Sequence, residues 1–169
     1  MSMMSIRAAT PRDREAIRLV EEHAFGQQAE AGLVDALVAA GDAVLELVAS
    51  EDGQVVGHIL FSRLHVRQGG ADFAAVALAP LAVAPSFHGT GIGGALVREA
   101  HIRLKEAGET LSVVLGDPAY YGRFGYAHER AAGFDSEYQG AALQALAWGE
   151  APATGKLVYA AAFSSELAA

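Results

Sequence analysis

The chain has 169 residues, of which 52% are hydrophobic and 19% charged, enough apolar material for one packed domain and too much for a disordered chain. Twenty acidic residues against 12 basic ones leave a formal charge of −8, and no run of five basic residues occurs, which argues against a grip on a nucleic-acid backbone. There is no cysteine, so disulfides, thiolate metal sites and cysteine nucleophiles are excluded.

Met1 to Arg14 holds no apolar stretch of signal-peptide length, and no window reaches the ~18 apolar residues of a membrane span, so a soluble protein of cytoplasmic setting is expected. After Ile6, Thr10-Pro11-Arg12-Asp13 reads as the start of a helix running to about Ala24: Thr as N-cap, Pro at the first helical position, Asp in the first turn. Leu33, Val34, Leu37 and Val38 repeat at helical spacing and stop at Gly41. Val44 to Ala49, the turn Glu51-Asp52-Gly53 and Val55 to Val66 form a predicted hairpin. A second turn, Gln68-Gly69-Gly70, leads into Phe73 to Val83, a nearly continuous apolar run expected of a strand covered on both faces.

From Ile92, apolar positions 92, 95, 96, 100, 104 and 107 fall on one helix face that Gly108 ends. Leu111 to Leu115 is a short strand, parallel to Phe73 to Val83 because a helix separates the two. A helical turn around Tyr120 to Phe124, an unpatterned stretch from Ala127 to Gly155 and a last strand at Leu157 to Phe163 complete an α+β chain with a mixed sheet.

Four glycines stand in six residues, Gly89-Thr90-Gly91-Ile92-Gly93-Gly94, between strand and helix. Such a turn lets the backbone approach a ligand, and the helix start offers N–H groups to an anion, with a phosphate or pyrophosphate as its natural guest. A Walker-type loop is excluded because no Lys-Ser/Thr follows. Gly89-x-Gly91-x-x-Gly94 matches a dinucleotide fingerprint literally, leaving an NAD-type oxidoreductase as an alternative. Against it, some 80 residues precede the loop, Pro85-Ser86-Phe87-His88 separates strand from glycine, and no second strand-helix repeat follows.

Leu81-Ala82-Val83-Ala84-Pro85 followed by Gly89-Thr90-Gly91-Ile92-Gly93-Gly94-Ala95-Leu96 resembles the signature segment of the GCN5-related N-acetyltransferases (GNAT), with His88 where Gln or Arg is usual. Tyr120-Tyr121-Gly122-Arg123-Phe124-Gly125-Tyr126 resembles the family's aromatic-Tyr-x-x-x-Gly-aromatic segment. Val55-Val56-Gly57-His58-Ile59-Leu60-Phe61-Ser62, Leu78-Ala79-Pro80-Leu81 and Val114-Leu115-Gly116-Asp117-Pro118-Ala119-Tyr120-Tyr121 are similar to a bacterial subgroup. The resemblance implies one acyltransferase domain over residues 1–169, a mostly antiparallel sheet splayed at its parallel pair, and acetyl-CoA as cosubstrate without a metal.

It further implies that backbone groups of Leu81, Ala82 and Val83 hold pantetheine and polarise the thioester carbonyl, and that the loop of His88, Gly89, Thr90, Gly91, Ile92 and Gly93 takes the pyrophosphate. Tyr121 would donate a proton to the departing thiolate, although Tyr120, Tyr121, Phe124 and Tyr126 also fit a packing cluster. The acceptor would be an amine, small or peptidic, attacking directly in a ternary complex, and a homodimer is compatible with the family. No base is assigned: Phe73 to Ala84 holds no carboxylate, and His58, His65, Asp72 and Asp117 each have a structural reading too. That gap keeps open a non-catalytic acyl-CoA sensor.

Overall fold

Two tight turns organise the centre of the sheet. Asp52 and Gly53 (φ 50° and 85°), and again Gly69 and Gly70 (φ 58° and 84°), place both central residues at positive φ, the geometry that suits the twist of flanking strands. The first turn joins β2 (Ala43–Glu51) to β3 (Gln54–Gln68), and the second joins β3 to β4 (Ala71–Val83). The structure, a computed structural model, describes residues 3–166. Before the hairpins, β1 (Met4–Ala8) pairs with β2, and helices α1 (Arg14–Phe25) and α2 (Ala29–Ala39) follow it. Asp13 begins α1 with its carboxylate taking the Thr10 N–H at 2.8 Å and the Arg7 guanidinium at 2.7 Å.

A turn at Pro85–Phe87 leads from β4 to α3 (Ile92–Glu106), and β5 (Leu111–Leu115) then lies parallel to β4, as the crossover requires. The path of the sheet is β1-β2-β3-β4-β5-β7, where β7 is Leu143–Ala147. At fifteen residues β3 outruns β2, and its far end, His65 to Arg67, pairs with β8 (Gly155–Val158).

Alternation along β3 assigns the two faces. Ile59 and Phe61 meet α3 through Leu96, Val97 and Ala100, while Leu60 points the other way to Ile17 of α1 and Leu33, Val34 and Leu37 of α2. Each such large side chain, fully buried, stabilises the fold by about 1.5–3 kcal/mol, so the sheet is held as a layer between helices.

The sequence reading differs from the structure in the last third. The stretch from Ala127 to Gly155 contains α5 (His128–Ala131), the two-residue strand β6 (Phe134–Asp135) and β7. β7 reads Leu-Gln-Ala-Leu-Ala, with no β-branched or aromatic residue; it is a strand because β5 offers a complete edge, from Leu111↔Ala147 to Leu115↔Leu143. The last strand ends at Val158 instead of Phe163, and Phe163 lies on a short helix, α6 (Ala162–Glu166), packed in the α1/α2 core. A short apolar run carries no period that separates strand from helix.

Candidate active site

The parallel pairing of β4 with β5 covers Val76↔Ser112, Ala77↔Val113 and Leu78↔Val114 and stops there. Opposite this point a register shift lies between Ile59 and Phe61 of β3, whose partners on β4 are Leu81 and Leu78, so β4 carries an extra residue near Ala79 and Pro80. Beyond it Leu81 to Val83 stay with β3 and leave β5, opening a gap between parallel strands.

Backbone alternation decides which groups face that gap. The Ala84 N–H donates to Val56 of β3 at 2.8 Å, so Ala82 faces β3 too, while the N–H and C=O of Leu81 and Val83 point away from it. His88 reports the same geometry: its Nε2–H donates to the Val83 carbonyl at 2.7 Å across the mouth of the gap. Its backbone N–H donates to Pro85 at 3.2 Å, and Thr90 donates its hydroxyl to Phe87, so both residues brace the loop internally. Gly89 (φ 79°) and Gly91 (φ 86°) bend it through left-handed conformations. Gly91 is the N-cap of α3 without any side-chain capping bond, which leaves the amides at the helix start for a guest.

A cleft of about 600 Å³ joins these parts, lined by Leu81, Ala82, Val83, His88, Gly89, Gly91, Ile92 and Gly93 together with Tyr121. Of the residues predicted for the site, Thr90 alone contributes no wall and acts through the loop. The cleft is also lined by Phe87, Gly94 and Tyr120, which stand inside the two motifs without having been assigned to the site, and by Ala24, Phe25 and Arg123. Nothing near Phe25 signals a site, since only packing carries the end of α1 to the cleft. Arg123 had a signal, a cation inside an aromatic segment, and its guanidinium sits 5.1 Å from the Tyr120 ring centroid.

Asp117 caps α4 (Pro118–Tyr121) by accepting the Ala119 N–H at 2.9 Å, and a 3-10 turn, Gly122–Phe124, follows. This directs Tyr121 back over the end of β5, where a Cβ on Gly116 would stand 2.6 Å from its ring. Tyr121 packs edge-on to Tyr120 and Tyr126, at centroid distances of 5.0 and 6.0 Å. Burial, with a smaller contribution from Tyr120, pushes its phenol up to about 12, so it is protonated at neutral pH. Tyr126 is the buried anchor: its hydroxyl lies 2.8 Å from Ser112 Oγ and 3.0 Å from His101 Nε2. The segment is therefore both packing cluster and cleft wall, divided residue by residue.

The candidate bases scatter. His58 is buried between Glu21 (2.6 Å) and Glu46 (2.7 Å), and Asp72 pairs with Arg67 at the hairpin end. His65 lies on β3 where it pairs with β8, and Asp117 alone reaches a cavity beside Tyr121. Among the described residues no group of His, Asp and Glu could hold a metal, and no helix is long and apolar enough to cross a membrane.

A sheet opened at its parallel β4/β5 pair, with a glycine loop and an uncapped helix at the mouth, defines an acyl-CoA-dependent transferase and not a doubly wound dinucleotide fold, which needs successive parallel strand-helix units. Residues 5–128 match the model of the acetyltransferase (GNAT) domain, and the chain belongs to that family. It is an acetyltransferase with acetyl-CoA as cosubstrate. The chain is similar to the uncharacterized N-acetyltransferase YhbS of Escherichia coli K12, 42% identical over 124 residues, 73% of each chain. A GNAT acetyltransferase from Brucella melitensis, crystallised with acetyl-CoA, superposes with a TM-score of 0.81 at 42% identity, covering 95% of this chain and 98% of its own. The crystal structure of Escherichia coli YhbS with CoA gives 0.88 at 34% identity, covering 97% and 93%.

Proposed function

We propose that the protein transfers the acetyl group of acetyl-CoA to a primary amine by direct attack in a ternary complex, with Tyr121 as the proton donor to the leaving thiolate. The observation that carries this reading is the place of Tyr121 on the wall of the cleft that Leu81, Val83 and the start of α3 also line, where burial pushes its phenol up to about 12.

The diphosphate lies against the amides of Gly89, Gly91, Ile92 and Gly93, where the positive end of α3 favours it. The N–H and C=O of Leu81 and the N–H of Val83, which turn away from β3, pair with pantetheine, and an N–H among them polarises the thioester carbonyl. The neutral amine nitrogen attacks the carbonyl carbon and the C–S bond breaks. The sulfur takes the Tyr121 proton, the amine's surplus proton leaves to solvent, and solvent returns a proton to the Tyr121 phenolate. With no cysteine in the chain, no acyl-cysteine intermediate can form.

Tyr121→Phe tests the assignment. It keeps the ring and removes the proton, so kcat is expected to fall about 10²-fold or more while the Kd for acetyl-CoA, measured by calorimetry, stays unchanged. Wild-type turnover in the variant would remove Tyr121 from the chemistry. Free-thiol release by the wild type separates the enzyme from an acyl-CoA sensor.

A further inference from the structure

Two more cavities continue from the donor cleft through the gap. The first, about 380 Å³, shares Phe25, Leu81 and Tyr121 with the cleft. The second, about 490 Å³, shares Leu78, Ala79 and Leu115 with the first. Ala77 and Val113 in its wall belong to the sheet face opposite α3, so the donor loop and the far cavity lie on opposite sides of the sheet. Passage between them runs past Tyr121.

The charges on this path are sorted by sign. The donor cleft carries Arg123 and no carboxylate. The two cavities beyond it carry Glu30, Asp117 and Glu137, and among the described residues no Lys, Arg or His lines either. Lys156 stands outside, in an adjoining groove with Asp135 and Glu137. Beside Val114 and Ser164, the far cavity's wall holds three aromatic rings: Tyr138 meets Tyr159 edge-on at 5.3 Å, and Tyr159 meets Phe163 at 5.5 Å.

From this we infer that the acceptor is a small primary amine with an apolar, aryl-sized body and no carboxylate. The inference rests on the transfer reading above and narrows its acceptor. The amine must reach the thioester beside Tyr121, where Glu30 and Asp117 draw the ammonium form toward the gap. The apolar body then occupies the space between Tyr138, Tyr159 and Phe163, whose volume lies in the range of small-molecule sites. Its Glu137 rim repels a carboxylate. Free amino acids are therefore rejected by charge, and polyamines are disfavoured because their chain carries no apolar body to fill the space between the aromatic rings.

The test measures thiol release from acetyl-CoA with 2-phenylethylamine, phenylalanine, spermidine and a short unblocked peptide. Phenylethylamine is expected to exceed each of the others at least tenfold in kcat/KM. Glu137→Lys should raise the KM for phenylethylamine about tenfold and narrow its advantage over phenylalanine, leaving the Kd for acetyl-CoA unchanged. Tyr138→Ala should raise the same KM with an unaltered melting temperature as the control for folding. Faster transfer to phenylalanine, spermidine or the peptide, or indifference of the KM to both substitutions, overturns the inference and leaves amine acetylation standing. Acetyl-CoA binding without thiol release to any of the four overturns the transfer reading, and the inference with it.

Discussion

Gly116 and Tyr121 are five residues apart in sequence and share one piece of space. A Cβ at 116 would lie 2.6 Å from the phenol ring, inside any real contact distance, and the ring is already bounded by Tyr120 and Tyr126. Gly116→Ala is therefore expected to tilt Tyr121 away from the gap, lowering kcat about tenfold or more as positioning is lost while acetyl-CoA still binds. A crystal structure of the variant shows the tilt. The raised phenol also sets a pH expectation. If Tyr121 is the proton donor, a phenol pushed up to about 12 keeps it protonated across the neutral and mildly alkaline range, so kcat should show no downward limb from this group below about pH 10, its unperturbed value. A descending limb near pH 8 would point to a different donor.

At the scale of elements, α1 is tied to the sheet by charge as well as packing. Glu21 of α1 and Glu46 of β2 hold opposite nitrogens of His58 on β3, and Arg14 pairs with Glu46 from the start of the helix. Burial alone would lower the histidine's affinity for a proton, but the two carboxylates outweigh it and hold His58 above its usual value. Because the folded value is raised, this stabilisation is complete below about pH 6.5, where the unfolded histidine is also charged, and is lost as pH rises through the folded value. His58→Gln leaves two carboxylates facing a neutral amide in a buried site, a loss of about 3–5 kcal/mol. Urea denaturation should show the gap between wild type and variant largest near pH 6 and narrowing toward alkaline pH. A gap that widened would show His58 to be neutral in the folded protein. The same end of α1 supplies Ala24 and Phe25 to the cleft, so this tie also places a wall of the site. A structural role for His58 was legible as one of two readings, but its partners were not, because they lie 37 and 12 positions away. β7, likewise, exists through its neighbour and not through its own residues.

At the scale of the whole molecule the sheet opens between β4 and β5, and that opening joins a cleft lined by Arg123 to a cavity lined by Glu30 and Asp117. An occupant spanning both strands should brace the opening. Acetyl-CoA at about 100 times its Kd adds about 2.7 kcal/mol, which for a chain of this size raises the melting temperature by about 5–10 °C. Differential scanning fluorimetry checks this, and NADH in parallel should give no shift. Much of this architecture was legible in advance: the hairpins from Asp52-Gly53 and Gly69-Gly70, the loop from its four glycines, and the crossover from a strong helix between two apolar strands. These are local signals, since a left-handed turn, a helix face and an uncapped helix start are properties of a few consecutive residues. Tertiary structure decided the rest. Where β4 leaves β5, which nitrogen of the strand faces the gap, how Phe25, Glu30, Glu137 and Tyr159 come to stand around one passage, and why Phe163 sits on a helix all depend on contacts between distant segments. A one-dimensional pattern holds no record of those contacts, because burial and opposition across a sheet exist only once the layers have packed.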